Sequence, residues 1–180
     1  MKPPKPKKCA VCKASYQQHR TTQRVCSPKC AIALVDKKKA KTAAKALRDG
    51  REKLKTKSDL LKDAQVSFNA YIRERDKGNS CISCGKNSGC KMNAGHYLSR
   101  GAHPELRFEE LNCWLQCEHC NSHLSGNQIR FRQNLILKIG AEKVEWLEGP
   151  HSPANYSREE IVEIKLKYRA KKKELTYQIN

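Results

Sequence analysis

The 180-residue sequence predicts an α+β fold, mainly helical, stapled by metal rather than built around one large apolar core. Three observations carry that prediction. Ten cysteines fall mostly into close pairs, several stretches carry helix caps followed by apolar residues at helical spacing, and only 38% of residues are hydrophobic and 6% aromatic. With a mean hydropathy of −0.82, a compact enzyme with a deep apolar pocket is a poor first expectation. No run approaches the ~20 apolar residues that span a bilayer, and the segment Met1 to Lys8 carries charge without an apolar stretch. A soluble chain with no membrane partner and no export signal of its own is therefore expected.

The cysteine pairs are Cys9 with Cys12, Cys26 with Cys30, Cys81 with Cys84, and Cys117 with Cys120. Cys90 and Cys113 are left over, each read as a buried small residue or a spare thiol, with Cys90 also able to compete as a ligand. A disulfide framework suits secreted domains and different spacing. A tight knuckle instead lets two thiolates reach one tetrahedral ion. Cys9-x2-Cys12 and Cys26-x3-Cys30, separated by 13 residues, make one four-thiolate site, and its second pair lies at a helix start that favours thiolate. Cys81-x2-Cys84 and Cys117-x2-Cys120 make the other. Two structural Zn2+ ions would supply stability that the composition does not.

Charge is uneven. Residues 1–57 hold 18 Lys and Arg against 3 Asp and Glu, while residues 58–180 hold 19 against 15. A block of that sign attracts polyanions, and beside a zinc knuckle it is read as a phosphate-binding surface. Lys7, Lys8, Lys13, Arg20 and Arg24 decorate the first knuckle. A solvated, self-repelling arm is the bland alternative.

The elements follow in order. Ser27-Pro28 caps a helix through Cys30, Ala31 and Leu34, continued from Asp36 to about Lys57 by Ala- and Lys-rich sequence with little apolar face. Ser58 caps a second helix with Leu61, Ala64, Phe68, Tyr71 and Ile72 on one side, ended by Gly78-Asn79. Turns and short strands occupy residues 80 to about 127. Helices follow over Gln128–Ile139, stopped by Gly140, and Ala141–Leu147, closed by Gly149-Pro150. Ser157 with Glu160 forms a capping box that opens a last helix, ending at Lys171-Lys172-Lys173. Trp114 and Trp146 read as core anchors.

Between the second pair of knuckles the residues become specific. Ala94-Gly95-His96-Tyr97-Leu98-Ser99-Arg100-Gly101, the triplet Leu106-Arg107-Phe108, Asn112 through Gln116-Cys117 to Asn121, and Leu124-Ser125-Gly126-Asn127 resemble the HNH, or ββα-metal, nucleases in their zinc-stapled form. The similarity is closest to the phage NinG family, also called Rap, of recombination endonucleases. It runs across most of the chain, although its specific motifs sit between Cys81 and Asn127. The order knuckle, His, knuckle, Asn is more loosely similar to the T-even phage endonuclease that resolves branched DNA.

The resemblance implies four regions: a four-cysteine zinc knuckle over 1–35, a basic helical grip or dimerisation region over 36–79, an HNH-like nuclease domain over 80–150 and a C-terminal basic helix over 151–180. It implies His96 as the general base that takes a proton from water, for which an imidazole near pKa ~6.5 is suited. Asn112 would hydrogen-bond across the hairpin and fix the surroundings of the imidazole. Asn121 would give its oxygen to a catalytic Mg2+ or Mn2+, distinct from the two zincs. Position 95 is Gly where many HNH sites carry an acidic metal ligand. His123 or His119 are candidates to fill that place, with His103 and Asn93 further ones, although His119 taken alone reads first as a solvent-facing knuckle residue and His103 as a loop residue.

Arg100 is the preferred phosphate contact, with Arg107, Arg130 and Arg132 as others; Arg107 could instead pair with Glu109 or Glu110. Ser125-Gly126-Asn127 is either a turn close to the DNA backbone or a helix stop. The expected function is a metal-dependent, structure-selective endonuclease cutting branched DNA such as Holliday junctions. It would act as a homodimer in the bacterial host cytoplasm. The alternative is a non-catalytic zinc-stapled DNA-binding recombination accessory protein. A sequence-specific restriction or homing enzyme is a weaker third, since no second module for reading bases in the major groove stands out.

Overall fold

The computed structural model describes residues 6–178, so readings that touch residues 1–5 or 179–180 lie outside the described residues. The chain divides into two compact units, residues 1–55 and 56–180. The segment 36–79 is thus shared between them, and the C-terminal helix lies in the second. Among the described residues no helix is long and apolar enough to cross a membrane.

The first unit is a two-stranded hairpin and a long helix. Strands β1 (Lys7–Lys8) and β2 (Ser15–Tyr16) pair antiparallel, with Lys7 opposite Tyr16. Helix α1 spans Pro28–Leu54, with Ser27 in extended conformation accepting a bond from the Cys30 amide and Pro28 at its first position. None of its residues is buried. It ends at Leu54, before the expected Lys57, where Lys55 turns extended at ψ 136°.

The second unit opens with α2, Lys57–Arg75. Its cap is Thr56 rather than Ser58. The Thr56 hydroxyl accepts the Asp59 amide at 3.2 Å, and the Asp59 carboxylate accepts the Thr56 amide at 3.1 Å, a complete capping box. The two strands of the central hairpin are β3 (Met92–His96) and β4 (Cys113–Cys117), antiparallel with Gly95 opposite Trp114 and His96 opposite Cys113. A 3-10 turn at Pro104–Leu106 lies between them, and a single π-helical turn, His119–His123, follows β4. Then come α3 (Gln128–Ile139), α4 (Ala141–Glu148) and α5 (Arg158–Gln178).

Alternation along the strands divides the core in two. Ala94 and Cys113 pack with Phe68, Tyr71, Ile72 and Tyr168 of α2 and α5. Trp114 packs instead against Tyr97, Leu106, Phe131, Leu135, Val144 and Leu147. At the end of α2, Arg75 donates to the Cys113 carbonyl at 2.9 Å while Asp76 accepts the Leu115 amide at 3.0 Å, which pins the helix to β4.

Two expectations are corrected here. Helix α5 runs past Lys171-Lys172-Lys173 because Lys171 is paired with Glu110 at 2.5 Å and Leu175 packs on the core, with no Gly or Pro to stop it. Trp146 is 49% exposed, its ring edge-on to His151 at 4.8 Å, so it is not a core anchor. Trp114 is half-buried between the cations of Arg75 at 4.3 Å and Lys138 at 4.9 Å.

Candidate functional site

Both cysteine sets close into clusters. In Cys9, Cys12, Cys26 and Cys30, and again in Cys81, Cys84, Cys117 and Cys120, the sulfurs all lie within 4.8 Å of one another. Separations of 3.5 Å (Cys12 to Cys26), 3.7 Å (Cys26 to Cys30) and 3.7 Å (Cys84 to Cys117) far exceed an S–S bond. They approach the ~3.8 Å edge of a tetrahedron with metal–sulfur bonds near ~2.3 Å. Each cluster could therefore hold a zinc ion. In each cluster one thiol is shifted towards thiolate, Cys9 and Cys117, while its neighbours Cys26, Cys84 and Cys120 are pushed up. Burial raises the Cys117 thiol, but the Cys120 amide, 3.4 Å from its sulfur, together with the thiols of Cys120, Cys81 and Cys84 leaves it lowered. Burial likewise opposes ionisation of Cys9, yet the amides of Cys12, Val11 and Cys26 bring it down to about 6. Lys7, Lys8, Arg20 and Arg24 are exposed in the unit that holds the first cluster. Of the spare cysteines, Cys113 is buried and Cys90 half-buried, outside both clusters.

Beside the second cluster lies a cleft of about 530 Å3 along β3. His96 and Asn121 share it. So do Asn93 of β3 itself, Arg100, Ser125 and Gly126 from the neighbouring loops, and Asn69 and Arg73 from α2. The turn Ser125-Gly126-Asn127 holds three consecutive left-handed residues, with φ of 47°, 93° and 46°, which brings its backbone to the cleft rim.

His96 is held by its far nitrogen. Nε2 lies 3.0 Å from the Arg107 carbonyl, which can only accept, so Nε2 carries the proton and Nδ1 keeps its lone pair. Burial is the main cause that brings this imidazole down to about 4, aided by the charges of Arg100 and Arg107 and opposed by the Arg107 carbonyl. It is therefore neutral at cellular pH, as an acceptor of protons must be. The Cys113 sulfur lies 3.7 Å from Nδ1, and complete burial keeps that thiol protonated.

Asn112 touches neither His96 nor the cleft. Fully buried, it accepts the Leu98 amide at 2.8 Å and donates to the carbonyls of Leu98 at 3.0 Å and Leu106 at 3.2 Å. It braces the loop that presents the Arg107 carbonyl, and so acts on His96 at one remove.

The arginines separate. Arg100 faces the cleft. The Arg107 side chain donates to Gln65 at 3.0 Å, not to Glu109 or Glu110. Arg130 is exposed on α3, and Arg132 is clamped by both Glu148 oxygens at 2.7 and 2.9 Å. His119 and His123 are exposed, with rings 5.7 Å apart, and are not among the cleft residues. His103 sits 3.1 Å from Glu105.

The sequence reading missed Asn69, Arg73, Glu118 and Gln116. Asn69 and Arg73 are one helical turn apart beside the apolar stripe of α2, which was the available signal. Glu118 reaches the cleft while paired with Lys91 at 3.1 Å. Gln116 directs its side-chain oxygen over Gly95: a Cβ on Gly95 would lie 2.2 Å from Gln116 Oε1 and 3.1 Å from Asn121 Oδ1. The donor set around Asn121 is thus rich in oxygen, which suits a hard divalent cation such as Mg2+ or Mn2+.

No solved structure matches the chain. Residues 1–178 match the family model described as Bacteriophage Lambda NinG protein. The chain is 37% identical over 193 aligned positions to Protein ninG of Escherichia phage 933W, covering 97% of this chain and 96% of that one. It is 37% identical over 168 positions to Protein ninG of Escherichia phage lambda, covering 83% and 82%, and 36% identical over 168 positions to that of Salmonella phage P22, covering 83% of each. A match over nearly the whole length, with relatives more than a third identical, means that the chain belongs to the NinG family.

Proposed function

We propose that the protein is a metal-dependent, structure-selective DNA endonuclease of phage recombination, hydrolysing phosphodiesters in branched DNA such as Holliday junctions. It works as a homodimer in the cytoplasm of the infected cell, with Zn2+ in both cysteine clusters. The observation that carries this reading is the shared cleft: an uncharged imidazole at His96, the amide of Asn121 and the cations of Arg73 and Arg100 line one space.

In this reading Arg100 and Arg73 orient the phosphate, and Nδ1 of His96 takes a proton from the water that attacks phosphorus. The bond from phosphorus to the leaving deoxyribose oxygen breaks, and that oxygen is protonated. The Arg107 carbonyl, braced through Asn112, keeps the ring in the tautomer this needs. Asn121 would hold a Mg2+ or Mn2+, whose positive charge would serve the phosphate and the leaving oxygen.

A second reading has one observation in its favour. With Gly at position 95 the usual carboxylate is absent, as in a site that binds DNA without cutting it. Incubation of purified protein and Mg2+ with a four-way junction and with plain duplex of the same sequence separates the two. Preferential cutting of the junction is expected, with His96→Ala losing at least ~100-fold in rate yet retaining binding. Binding without cutting by the wild type would favour the accessory role, and equal cutting of both DNAs would remove the selectivity.

A further inference from the structure

We infer that Gln116 is a ligand of the divalent cation in the cleft, its side-chain carbonyl pairing with that of Asn121 in place of the carboxylate absent at position 95. This rests on the nuclease reading, which supplies the cation, and assigns a ligand that reading lacks.

Gln116 is completely buried. Its Nε2 donates to Ser83 Oγ at 2.7 Å and to the Gly126 carbonyl at 2.6 Å. A backbone carbonyl accepts only, so the amide has one possible orientation and Oε1 faces the other way. Among the described residues, Gln116 Oε1 is the buried side-chain nitrogen or oxygen without a hydrogen-bond partner. A carbonyl stripped of water with nothing in exchange is costly, and such an atom calls for a partner that the protein itself does not supply.

Its direction names that partner. Oε1 lies over Gly95, 2.2 Å from where a Cβ would stand, and Asn121 Oδ1 approaches the same point at 3.1 Å. Gly95 is not among the glycines at positive φ, so no turn requires glycine there. The close approach of two carbonyl oxygens does. Asn121 shares the cleft with His96, Gln116 lies buried behind it, and both amides are anchored to the thiolate cluster, Gln116 through Ser83 between Cys81 and Cys84, and Asn121 directly after Cys120. Carbonyl oxygens are ligands for Mg2+, Mn2+ or Ca2+, and a pair of neutral ones leaves charge and coordination positions for water and a DNA phosphate. A carboxylate returned to position 95 would thus collide with the ligand that replaces it.

The test uses the full-length, zinc-loaded protein and Mn2+. Substoichiometric Mn2+ should broaden the side-chain amide resonances of Gln116 and Asn121. Gln116→Met should weaken Mn2+ binding at least tenfold by calorimetry at unchanged zinc content, and Gly95→Ala should weaken it similarly, whereas Glu142→Gln, at an exposed carboxylate of α4 outside the cleft, should change it less than threefold. Asn121 broadened without Gln116, or Glu118→Gln abolishing binding, would overturn the assignment and leave the nuclease cation with other ligands. A wild type that binds no Mn2+ would remove the catalytic cation itself. Should Gln116→Met lose zinc, the wild-type broadening decides.

Discussion

The two cysteine clusters present the same four sulfurs in different settings. The first is backed by a two-residue hairpin and by α1, a 27-residue helix with no buried side chain. The second sits inside the unit that buries Phe68, Phe131 and Leu135, and Glu118 and Asn121, each directly after one of its cysteines, line the cleft. A thiolate cluster by itself therefore says only that a loop is tied. Whether it also borders a cleft depends on what the tied segment leads to, which is a lysine-rich helix in one case and His96 and Asn121 in the other.

Breaking the clusters one at a time should give the largest difference. Cys120→Ser removes a buried sulfur from the second unit. Since structural zinc contributes on the order of 10 kcal/mol to small domains, it should abolish cooperative unfolding of that unit and all metal-dependent cutting. Cys12→Ser, at an exposed sulfur, should lower the zinc content by one while leaving the unfolding transition of residues 56–180 in place. Elemental analysis with calorimetry reads both, and equal damage from the two variants would erase the contrast.

A smaller effect separates the units by pH. Burial holds His96 at about 4 against 6.5 for a free imidazole, so the unfolded chain binds the proton more readily. The stabilisation is complete above about pH 6.5 and is lost as pH falls towards 4, by at most about 3–4 kcal/mol. Denaturant titrations should show this slope in the wild type and not in His96→Gln. Zinc loss in acid is common to both proteins and drops out of the difference.

The smallest effect sharpens the role of the basic unit. Replacing Lys7, Lys8, Arg20 and Arg24 together by Ala should flatten the salt dependence of DNA binding by roughly 0.9 in log–log slope for each phosphate no longer neutralised. The cutting rate at saturating DNA should stay as it was. A slope that does not move would mean that these residues leave the phosphates alone.

Much of the fold is legible in the chain because its signals are local. Ser27-Pro28 and Ser157 with Glu160 start their helices where the caps say, as the bond from the Glu160 amide to the Ser157 hydroxyl at 3.1 Å attests. Gly140 stops α3. Local signals also mislead when two compete. Ser58 and Thr56 are both cap residues, and the carboxylate of Asp59, three residues after Thr56, decides between them. The site was only partly legible. His96 and Asn121 follow from the order of knuckle, His, knuckle, Asn, whereas Arg132 reads as a free cation until the fold brings Glu148 to it across 16 residues.

By itself, then, the sequence determined what short-range chemistry can settle: two four-thiolate sets from cysteine spacing, helix limits from caps and glycines, and a basic first third. Tertiary packing decided that α2 contributes Asn69 and Arg73 to the cleft, that the Arg107 backbone and not its side chain serves His96, and that Gln116 Oε1 and Asn121 Oδ1 meet over Gly95. The reason is physical. Caps and knuckles are completed within a few residues by bonds the local chain can form alone. A buried amide's direction is set instead by partners such as Ser83, 33 residues away, that only the assembled core places within reach.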